Sequence, residues 1–397
     1  MMGRIDELIK QLCPNGVKYQ SLGDLGKFYG GLTGKSKSDF SDGNAAFITY
    51  KNVYSNLALN INPDDTVKIA EGENQRTLEY GDIVFTGSSE TPDECGLSSV
   101  VTKKPEKPLY LNSFCFFYRF NDINLMKPDF AKHLFRSQNL RRQIGKTASG
   151  VTRFNVSKDK MAKVIIPLPP LPVQEEIVRV LDKFTELTKE LTEELTERKK
   201  QYEFYRDSLL SNTTGAKMKR LGDTCRMKSG RAIKPAMLSE IRDTEHPYSC
   251  FGGNGIRGYV AKQSHHGEYP IIGRQGALCG NVCYATGTFY ATEHAVVVES
   301  LGEYEQRYLF YLLTVMNLNR YKTQGAQPGL AVGTIENLVA FVPSLDQQRK
   351  VVKILDRFDT LCNDISRGLP AEIKARQQQY EYYRDKLFTF PKDELEV

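Results

Sequence analysis

The sequence predicts a mixed α/β protein with two globular α/β halves separated by two long helices, which pack as an antiparallel coiled coil. Two stretches of the 397-residue chain recur at long spacing, and both carry helical periodicity. The segments between them show short strand patterns followed by a helix pattern. A chain of this length can bury two or three separate cores. We therefore expect a pseudo-two-fold internal repeat.

The repeat can be read directly. VQEEIVRVLDKF (173–184) returns as QQRKVVKILDRF (347–358), at a spacing of 174 residues. QYEFYRDSLL (201–210) returns as QYEYYRDKLF (379–388), at a spacing of 178 residues. The second copy therefore contains four extra residues between its two conserved segments, which predicts a kink or local break in its helix.

Both copies place apolar residues in alternating steps of four and three, as coiled coils do. The positions expected along this stripe in the first copy are 177, 181, 184, 188, 191, 195, 198, 202, 205 and 209. The second copy follows the same rule to Ile365, meets Gly368 and Pro370, and resumes at Ile373. Neither helix can bury such a stripe alone, so an antiparallel pair is expected. A homodimer through the same surface is the alternative.

These patterns set the predicted boundaries. Prolines at 167, 169, 170 and 172 fix the start of the first long helix. The prediction is a first domain (1–166), a first spacer helix (167–212), a second domain (213–342), a second spacer helix (343–391, kinked near 368–370) and a tail (392–397). Strands are expected within 44–54, 81–87, 98–104 and 112–120, and the helices that end the halves over 128–146 and 306–321.

Composition indicates a globular protein outside the membrane. The net charge of +6 is concentrated in the two globular halves, since residues 1–166 hold 23 Lys and Arg against 18 Asp and Glu. That distribution suits two surfaces for anionic ligands, and equally suits ordinary solvating charge. The eight cysteines lack metal-ligand spacing, so we expect reduced thiols and no metal site. No apolar run approaches a membrane span, and a cytoplasmic location is expected.

Two glycine-rich segments resemble nucleotide-binding motifs without meeting their requirements. GGNGIRG has the spacing of a dinucleotide site at Gly253, Gly255 and Gly258, but a β-like segment follows where a helix is needed. A hairpin turn explains these glycines better. GGLTGKS (30–36) is one residue too short for a phosphate-binding loop. No catalytic constellation is visible.

Two loops remain as candidates for ligand contact. KTASGVTRFN (146–155) and YKTQGAQPGLA (321–331) follow the terminal helix of their respective halves, and both combine cations with amide and hydroxyl side chains. Such side chains read base edges and hold phosphates in protein–DNA complexes. For any single residue a solvated loop explains the composition equally well, but the recurrence in both halves favours a function.

The chain resembles the specificity subunit of type I restriction–modification enzymes over essentially its whole length. The most specific parts are IPLPPLPVQEEIVRVLDKF with KKQYEFYRDSLL, and their second copies FVPSLDQQRKVVKILDRF and GLPAEIKARQQQYEYYRDKL. The resemblance implies two target-recognition domains, each binding half of a split double-stranded DNA site, and helices that dock methyltransferase subunits, with restriction subunits joining to complete the complex. S-adenosylmethionine, ATP and magnesium would belong to those partners, with no cofactor and no catalysis in this chain.

Candidate DNA-binding residues follow from the basic and amide side chains of the loops. They are Lys35, Lys37, Lys51, Lys146 and Arg153 in the first half, and Arg231, Arg257, Arg274, Gln275, Lys322, Gln324 and Gln327 in the second. Two alternatives stay open at this point: a coiled-coil adaptor without a DNA role, and an enzyme that binds a nucleotide at one of the glycine-rich segments.

The segment ELTKELTEELTE (186–197) repeats a four-residue unit three times inside the first long helix. Each unit adds about 6 Å at a rise of about 1.5 Å per residue. That is a little under two base pairs of B-DNA at about 3.4 Å each. The sequence therefore predicts that the number of units sets the gap between half-sites.

Overall fold

A computed structural model describes residues 2–211, 215–325 and 328–392, with the side chain of Met2 excluded. The chain forms two compact units. The first contains residues 1–190 and 373–397, and the second contains residues 191–372.

The globular part of the first unit is built from short helices and strands. Its helices are α1 (Met2–Leu12), α2 (Leu22–Leu25), α3 (Tyr50–Ser55), α4 (Pro128–Leu134), α5 (Gln138–Gly145) and α6 (Lys158–Met161). Its strands are β1 (Tyr19–Ser21), β2 (Gly26–Gly30), β3 (Ala45–Ile48), β4 (Thr66–Val67), β5 (Ile83–Thr86), β6 (Ser88–Ser89), β7 (Ser98–Val100), β8 (Leu109–Leu111), β9 (Cys115–Phe120), β10 (Ala148–Ser149), β11 (Phe154–Val156) and β12 (Ile165–Pro167).

Four small sheets organise these strands. An antiparallel sheet has the order β2-β9-β5-β7, and two three-stranded sheets have the orders β4-β3-β8 and β10-β11-β6. Strand β1 pairs antiparallel with β12, so the beginning and the end of the globular part are joined. Buried aromatic residues of β5 and β9 pack against α4 and the residue that ends it. The ring of Phe85 stacks on Phe116 at 5.4 Å and makes an edge contact with Phe135 at 5.7 Å. This packing forms the main core of the unit.

Helix α7 (Leu171–Ser211) follows β12 and is 41 residues long. Its exposure follows the predicted stripe from residue 189 to residue 202, where only Leu191, Leu195, Arg198 and Tyr202 are not exposed. The next predicted position, Tyr205, is 45% exposed. In the first unit Phe184 of this helix stacks on Tyr383, with ring centroids 5.3 Å apart.

The second unit repeats this plan with a larger sheet. Its strands are β13 (Lys217–Arg220), β14 (Cys225–Ser229), β15 (Tyr248–Gly252), β16 (Gly255–Val260), β17 (His265–Gly273), β18 (Val282–Ala291), β19 (Ala295–Ser300) and β20 (Val339–Val342). Six of them form a sheet of order β14-β19-β17-β18-β15-β16, and β13 pairs with β20 as β1 does with β12. The helices of the second unit are α8 (Leu221–Thr224), α9 (Gln306–Val315), α10 (Val332–Glu336) and α11 (Leu345–Asn363). Helix α12 (Leu369–Leu387) follows, and from Ile373 onward it belongs to the first unit.

The second helical repeat is divided into α11 and α12, and residues 364–368 between them are not helical. A Cβ at Gly368 would lie 2.3 Å from the carbonyl oxygen of Thr360, so only glycine fits this close approach. The expectation that Ile365 continues the buried stripe is wrong: it lies in this break and is 81% exposed. In the second unit Tyr205 of α7 stacks on Phe358 of α11 at 5.5 Å. The earlier part of α7 thus pairs with α12 and the later part with α11, the order that antiparallel packing requires.

The predicted fold class is confirmed, with three corrections to individual elements. The strand expected over 44–54 ends at Ile48, because Thr49 caps α3 by accepting a hydrogen bond from the backbone N–H of Asn52. The helix expected over 128–146 is two helices, α4 and α5, separated at residues 135–137. The helix expected over 306–321 ends at Val315, and a 3₁₀ turn over Leu318–Tyr321 follows it because Asn317 adopts a left-handed conformation with φ 47°. No helix in the described parts of the chain is long and apolar enough to cross a membrane.

Candidate nucleic-acid interface

The loop between β10 and β11 lines an open cavity of about 540 Å³ in the first unit, called here the first cavity. Arg153 and Thr152 come from this loop, Tyr50 and Tyr54 from α3, and Ser88 from β6. Tight backbone geometry holds the loop in place, since Gly150 has φ 151° and a Cβ there would lie 1.9 Å from the carbonyl oxygen of Arg153.

Hydrogen bonds fix the polar groups around the first cavity. Arg153 Nε donates to Ser88 Oγ at 3.1 Å, and its guanidinium carbon lies 5.9 Å from the ring centroid of Phe114. Tyr54 donates its hydroxyl proton to Glu94 Oε1 at 2.6 Å. That bond holds the pKa of Glu94 below its usual range and raises the pKa of Tyr54. The cavity therefore combines aromatic rings, one forked cation and carboxylates.

The other predicted residues of the first half lie apart from the cavity floor. Lys51 is exposed on α3, Lys146 is exposed at the end of α5, and Lys37 is exposed in a short 3₁₀ turn. Lys35 is held inside the domain: its Nζ lies 2.6 Å from a Glu73 carboxylate oxygen and donates to the Lys68 carbonyl. Hydrogen bonding from this ammonium lowers the pKa of Glu73 to about 2.

A second cavity of about 380 Å³ lies in the second unit and is lined by Gly252, Gly253, Arg257, Gln275, Gly276 and His294. The segment GGNGIRG forms the turn between β15 and β16, which confirms the hairpin interpretation of its glycines. A Cβ on Gly273 would lie 1.7 Å from the Gly253 carbonyl oxygen, so the two loops approach backbone to backbone. Arg257 and Gln275 are brought to the same opening by this approach.

The candidate loop of the second half (321–331) contacts the backbone beside the second cavity. The Arg274 carbonyl accepts a hydrogen bond from the Leu330 backbone N–H at 2.9 Å, and Gln275 forms a β-bridge with Gly329. The Arg274 guanidinium donates to Ser229 Oγ at 3.0 Å. Gly329 and Leu330 of this loop therefore hold the backbone that carries Gln275.

Three further predicted residues of the second half, Arg231, Lys322 and Gln324, are exposed. The side chain of Arg231 lies at the surface, while its backbone carbonyl accepts from the Tyr290 hydroxyl at 3.2 Å. Lys322 Nζ donates to Asn319 Oδ1 at 3.0 Å, and Gln324 is exposed. Gln327 lies outside the described residues.

Comparison with known proteins decides the family. The sequence model of the type I restriction modification DNA specificity domain matches residues 14–198 and 214–375.

The chain belongs to the type I restriction–modification specificity-subunit family.

Relatives and solved structures agree with that assignment. The type I restriction enzyme EcoprrI specificity subunit of Escherichia coli is 50% identical over 226 residues, which is 53% of this chain and 56% of that protein. This chain therefore matches a little over half the length of that relative. A putative type I specificity subunit of Mycoplasma pneumoniae is 32% identical over 58% of this chain and 98% of its own length.

Two solved structures share the fold across nearly the whole chain. One, described under complex assembly and conformational transition of the type I R-M system, has a TM-score of 0.63 at 18% identity and covers 94% of this chain and 97% of its own. The other is the S subunit of a type I restriction–modification system from M. genitalium, with a TM-score of 0.55 at 16% identity, covering 94% and 96%.

Several residues of this family member's cavities have no signal in the sequence analysis. Tyr50 and Tyr54 lie on one face of α3, four residues apart, and a strand interpretation of that segment hides the spacing. Glu90 and Glu94 follow β6 and look like ordinary loop acids. The i, i+4 spacing of these tyrosines after the N-cap residue Thr49 is the local pattern that identifies the helix.

Proposed function

We propose that this chain is the non-catalytic DNA-recognition subunit of a type I restriction–modification complex, and that each unit reads one half of a split double-stranded target. The observation that carries the proposal is the position of the two recurring loops. Loop 146–155 lines the first cavity, and loop 321–331 supports the second through Leu330 and Gly329. Each cavity presents arginine, whose forked donors suit the acceptors on base edges.

In this proposal the exposed cations contact the DNA backbone and the cavities contact bases. Lys37, Lys51 and Lys146 in the first unit, and Arg231 and Lys322 in the second, supply the phosphate contacts. Such contacts make affinity fall steeply with salt. Lys35 is the weakest of the candidates, because its ammonium is already held by Glu73. Arg257, Arg274, Gln275 and the loop glutamines Gln324 and Gln327 supply the readout of the second half.

Helices α7, α11 and α12 carry the proposed docking surface for methyltransferase subunits, with restriction subunits completing the assembly. Exposed aromatic residues on α7 and α12 support this, since Phe204 is 69% and Tyr382 is 62% exposed. S-adenosylmethionine, ATP and magnesium are assigned to the partners.

The test is to express this chain with its methyltransferase and to map methylated bases across a genome. We expect a split motif with a fixed gap, and exchange of residues 1–166 for those of a relative should change one half of the motif only. Methylation that does not depend on this chain, or that survives unchanged when both cavities are altered, would support the adaptor alternative instead. Nucleotide binding by the isolated chain would support the enzyme alternative.

The same assay tests the repeated unit of α7. Deleting one ELTE unit, for example residues 194–197, removes about 6 Å of helix. We expect a shorter gap or loss of methylation, with both half-site sequences unaltered where methylation remains. An unchanged gap would show that the number of repeated units does not set the distance between the half-sites.

A further inference from the structure

The first cavity has a defined hydrogen-bonding polarity, and this inference rests on the proposed function. Tyr50 donates its hydroxyl proton to the Ser88 carbonyl at 2.9 Å, and Tyr54 donates to Glu94 at 2.6 Å. Ser89 also donates to Glu94, at 3.3 Å. A hydroxyl has one proton, so these three oxygens can offer only lone pairs to a ligand.

Two carboxylates, Glu90 and Glu94, add acceptors to the side of the cavity that Tyr50, Tyr54 and Ser89 line, and these five residues are called here the acceptor wall. Glu94 receives hydroxyl protons from Tyr54, Thr91 and Ser89 and so remains ionised, consistent with its lowered pKa. Glu90 lines the same cavity, is exposed, and has no partner among the described residues. Two carboxylates beside one guanidinium make the cavity a poor site for a phosphate group.

Arg153 is the forked donor of the first cavity. Its Nε is held by Ser88 and its guanidinium lies over Phe114, which together limit its orientation. Its two terminal amino groups have no partner within residues 2–211, 215–325 and 328–392 of the structure. They are therefore available as a planar pair of donors beside a wall of acceptors.

We propose that the first cavity reads one G·C base pair in the major groove, with Arg153 donating to guanine O6 and N7 and Glu90 accepting from the cytosine N4 amino group. A G·C pair presents two adjacent acceptors and then a donor, which complements a forked donor and a carboxylate that line one cavity. An A·T pair presents the adenine amino group next to its single acceptor, so the second arm of Arg153 would face a donor. Tyr54 and Ser88 are positioning residues that keep the acceptor wall and the guanidinium in place.

The experiment uses the full chain in complex with its methyltransferase, and DNA duplexes that carry each single-pair replacement in the mapped target. We expect one G·C position in the half-site assigned to residues 1–166 at which replacement by A·T weakens binding on the order of 10- to 100-fold. Arg153→Lys keeps the charge and loses the fork, and Glu90→Gln adds a donor. Both should reduce that preference to less than about threefold, while every other position keeps its preference.

Glu106→Gln is the matched control, since it removes the same charge at an exposed position outside the first cavity. It should leave all preferences unchanged. Continued recognition of the second half-site shows that each variant complex is assembled. If Arg153→Lys retains full discrimination, or if the variants weaken all sequences equally, Arg153 is a phosphate contact and the inference is overturned. Failure of the proposed function gives a different result, because the wild-type complex would then show no split motif.

Discussion

In each unit, two equivalent residues attach the helical part to the globular part. The first residue is the same in both units, and the second differs. Gln174 of α7 and Gln348 of α11 are both fully buried at the start of their helices. His133 of α4 and Arg307 of α9 both contact an aspartate of the LDKF or LDRF segment. The comparison separates what the repeat requires from what each unit can vary.

The glutamines make the same three hydrogen bonds. Gln174 accepts from the Lys127 backbone N–H and donates to the carbonyl oxygens of Leu125 and Pro169, at 2.8–3.1 Å. Gln348 accepts from the Glu305 backbone N–H and donates to the Glu303 and Pro343 carbonyls at 2.8–2.9 Å. Each glutamine is itself fully buried and satisfies three backbone groups, so its loss leaves buried or partly buried polar groups unpaired.

The second pair differs in charge and burial. His133 is fully buried, with Nδ1 2.8 Å from the Tyr380 hydroxyl and Nε2 2.7 Å from Asp182 Oδ1. Arg307 is partly exposed and lies between two carboxylates, with Nε 2.8 Å from Asp356 and an amino nitrogen 3.0 Å from Asp359. A neutral ring suffices where one aspartate is shared with a lysine, and a permanent cation is needed where two carboxylates meet.

The largest expected effect comes from the conserved pair. Gln174→Leu and Gln348→Leu should each reduce local stability by about 3 kcal/mol, because three backbone groups lose their partner at about 1 kcal/mol or more each. Hydrogen exchange of the first turns of α7 and α11 measures the two losses separately. Gln378→Leu, at an exposed position of α12, is the control and should change stability by less than about 0.5 kcal/mol. Losses that differ by more than about 1 kcal/mol between the two units would break the equivalence.

A smaller effect is expected from Arg307→Met in the second unit. The change leaves Asp356 and Asp359 facing each other without a cation, and it removes the guanidinium from above the Tyr284 ring, 4.7 Å from its centroid. Because the carboxylates are 43% and 33% exposed, water offsets part of the cost and we expect about 2 kcal/mol. Hydrogen exchange of α9 and α11 reports it.

Arg349→Met provides the matched comparison on the same helix. Arg349 and its partner Asp346 are 66% and 85% exposed, so their pairing contributes less than about 0.5 kcal/mol. Equal losses for the two arginine variants would mean that Arg307 is one more surface ion pair, and the contrast between the units would disappear.

The sequence predicts the repeated helices well because the rules that form them are local. The heptad spacing places Leu191 and Leu195 on the stripe, where both are partly buried, and Gly368 marks the break between α11 and α12. It also aligns Asp182 with Asp356, since both lie in a recurring segment. The residues that contact these aspartates are not predictable in the same way, because His133 and Arg307 come from the globular halves, where the repeat is weak.

The cavities show the same limit. Arg153, Arg257 and Gln275 are predicted by residue type within turns, and the structure places them at cavity openings. The acceptor wall of the first cavity depends on the contact of Tyr54 with Glu94, which are 40 residues apart. Only tertiary packing brings such groups together, so no sequence window contains the pattern.

The smallest effect distinguishes the two units by pH. Burial lowers the pKa of His133, against the opposing hydrogen bond to Asp182. Burial also acts to raise the pKa of Asp182, but hydrogen bonds from His133 and Lys132 outweigh it and leave that pKa lowered. The other groups facing the imidazole are Asp129 on its own helix and the Tyr380 hydroxyl, whose pKa burial raises to about 12. The native site therefore holds a neutral imidazole that donates to an ionised carboxylate.

The direction of the pH effect follows from these pKa values. Below the unfolded histidine pKa of about 6.5 the unfolded chain binds a proton that the native site does not, so stability is lost as pH falls, at no more than about 1.4 kcal/mol per pH unit. The contribution of Asp182 is lost only at more acidic pH, below about 4.

Hydrogen exchange corrected for intrinsic rates should show reduced protection of α4 and the start of α7 at pH 5.5 relative to pH 7. The α9–α11 contact should be less affected, because a guanidinium keeps its charge. His133→Gln keeps a donor toward Asp182 and cannot titrate, so it should remove this pH dependence even where it lowers stability at pH 7. Equal loss of protection at both contacts, or no loss at α4, would show that having His133 in one unit and Arg307 in the other makes no difference to how the helices are attached.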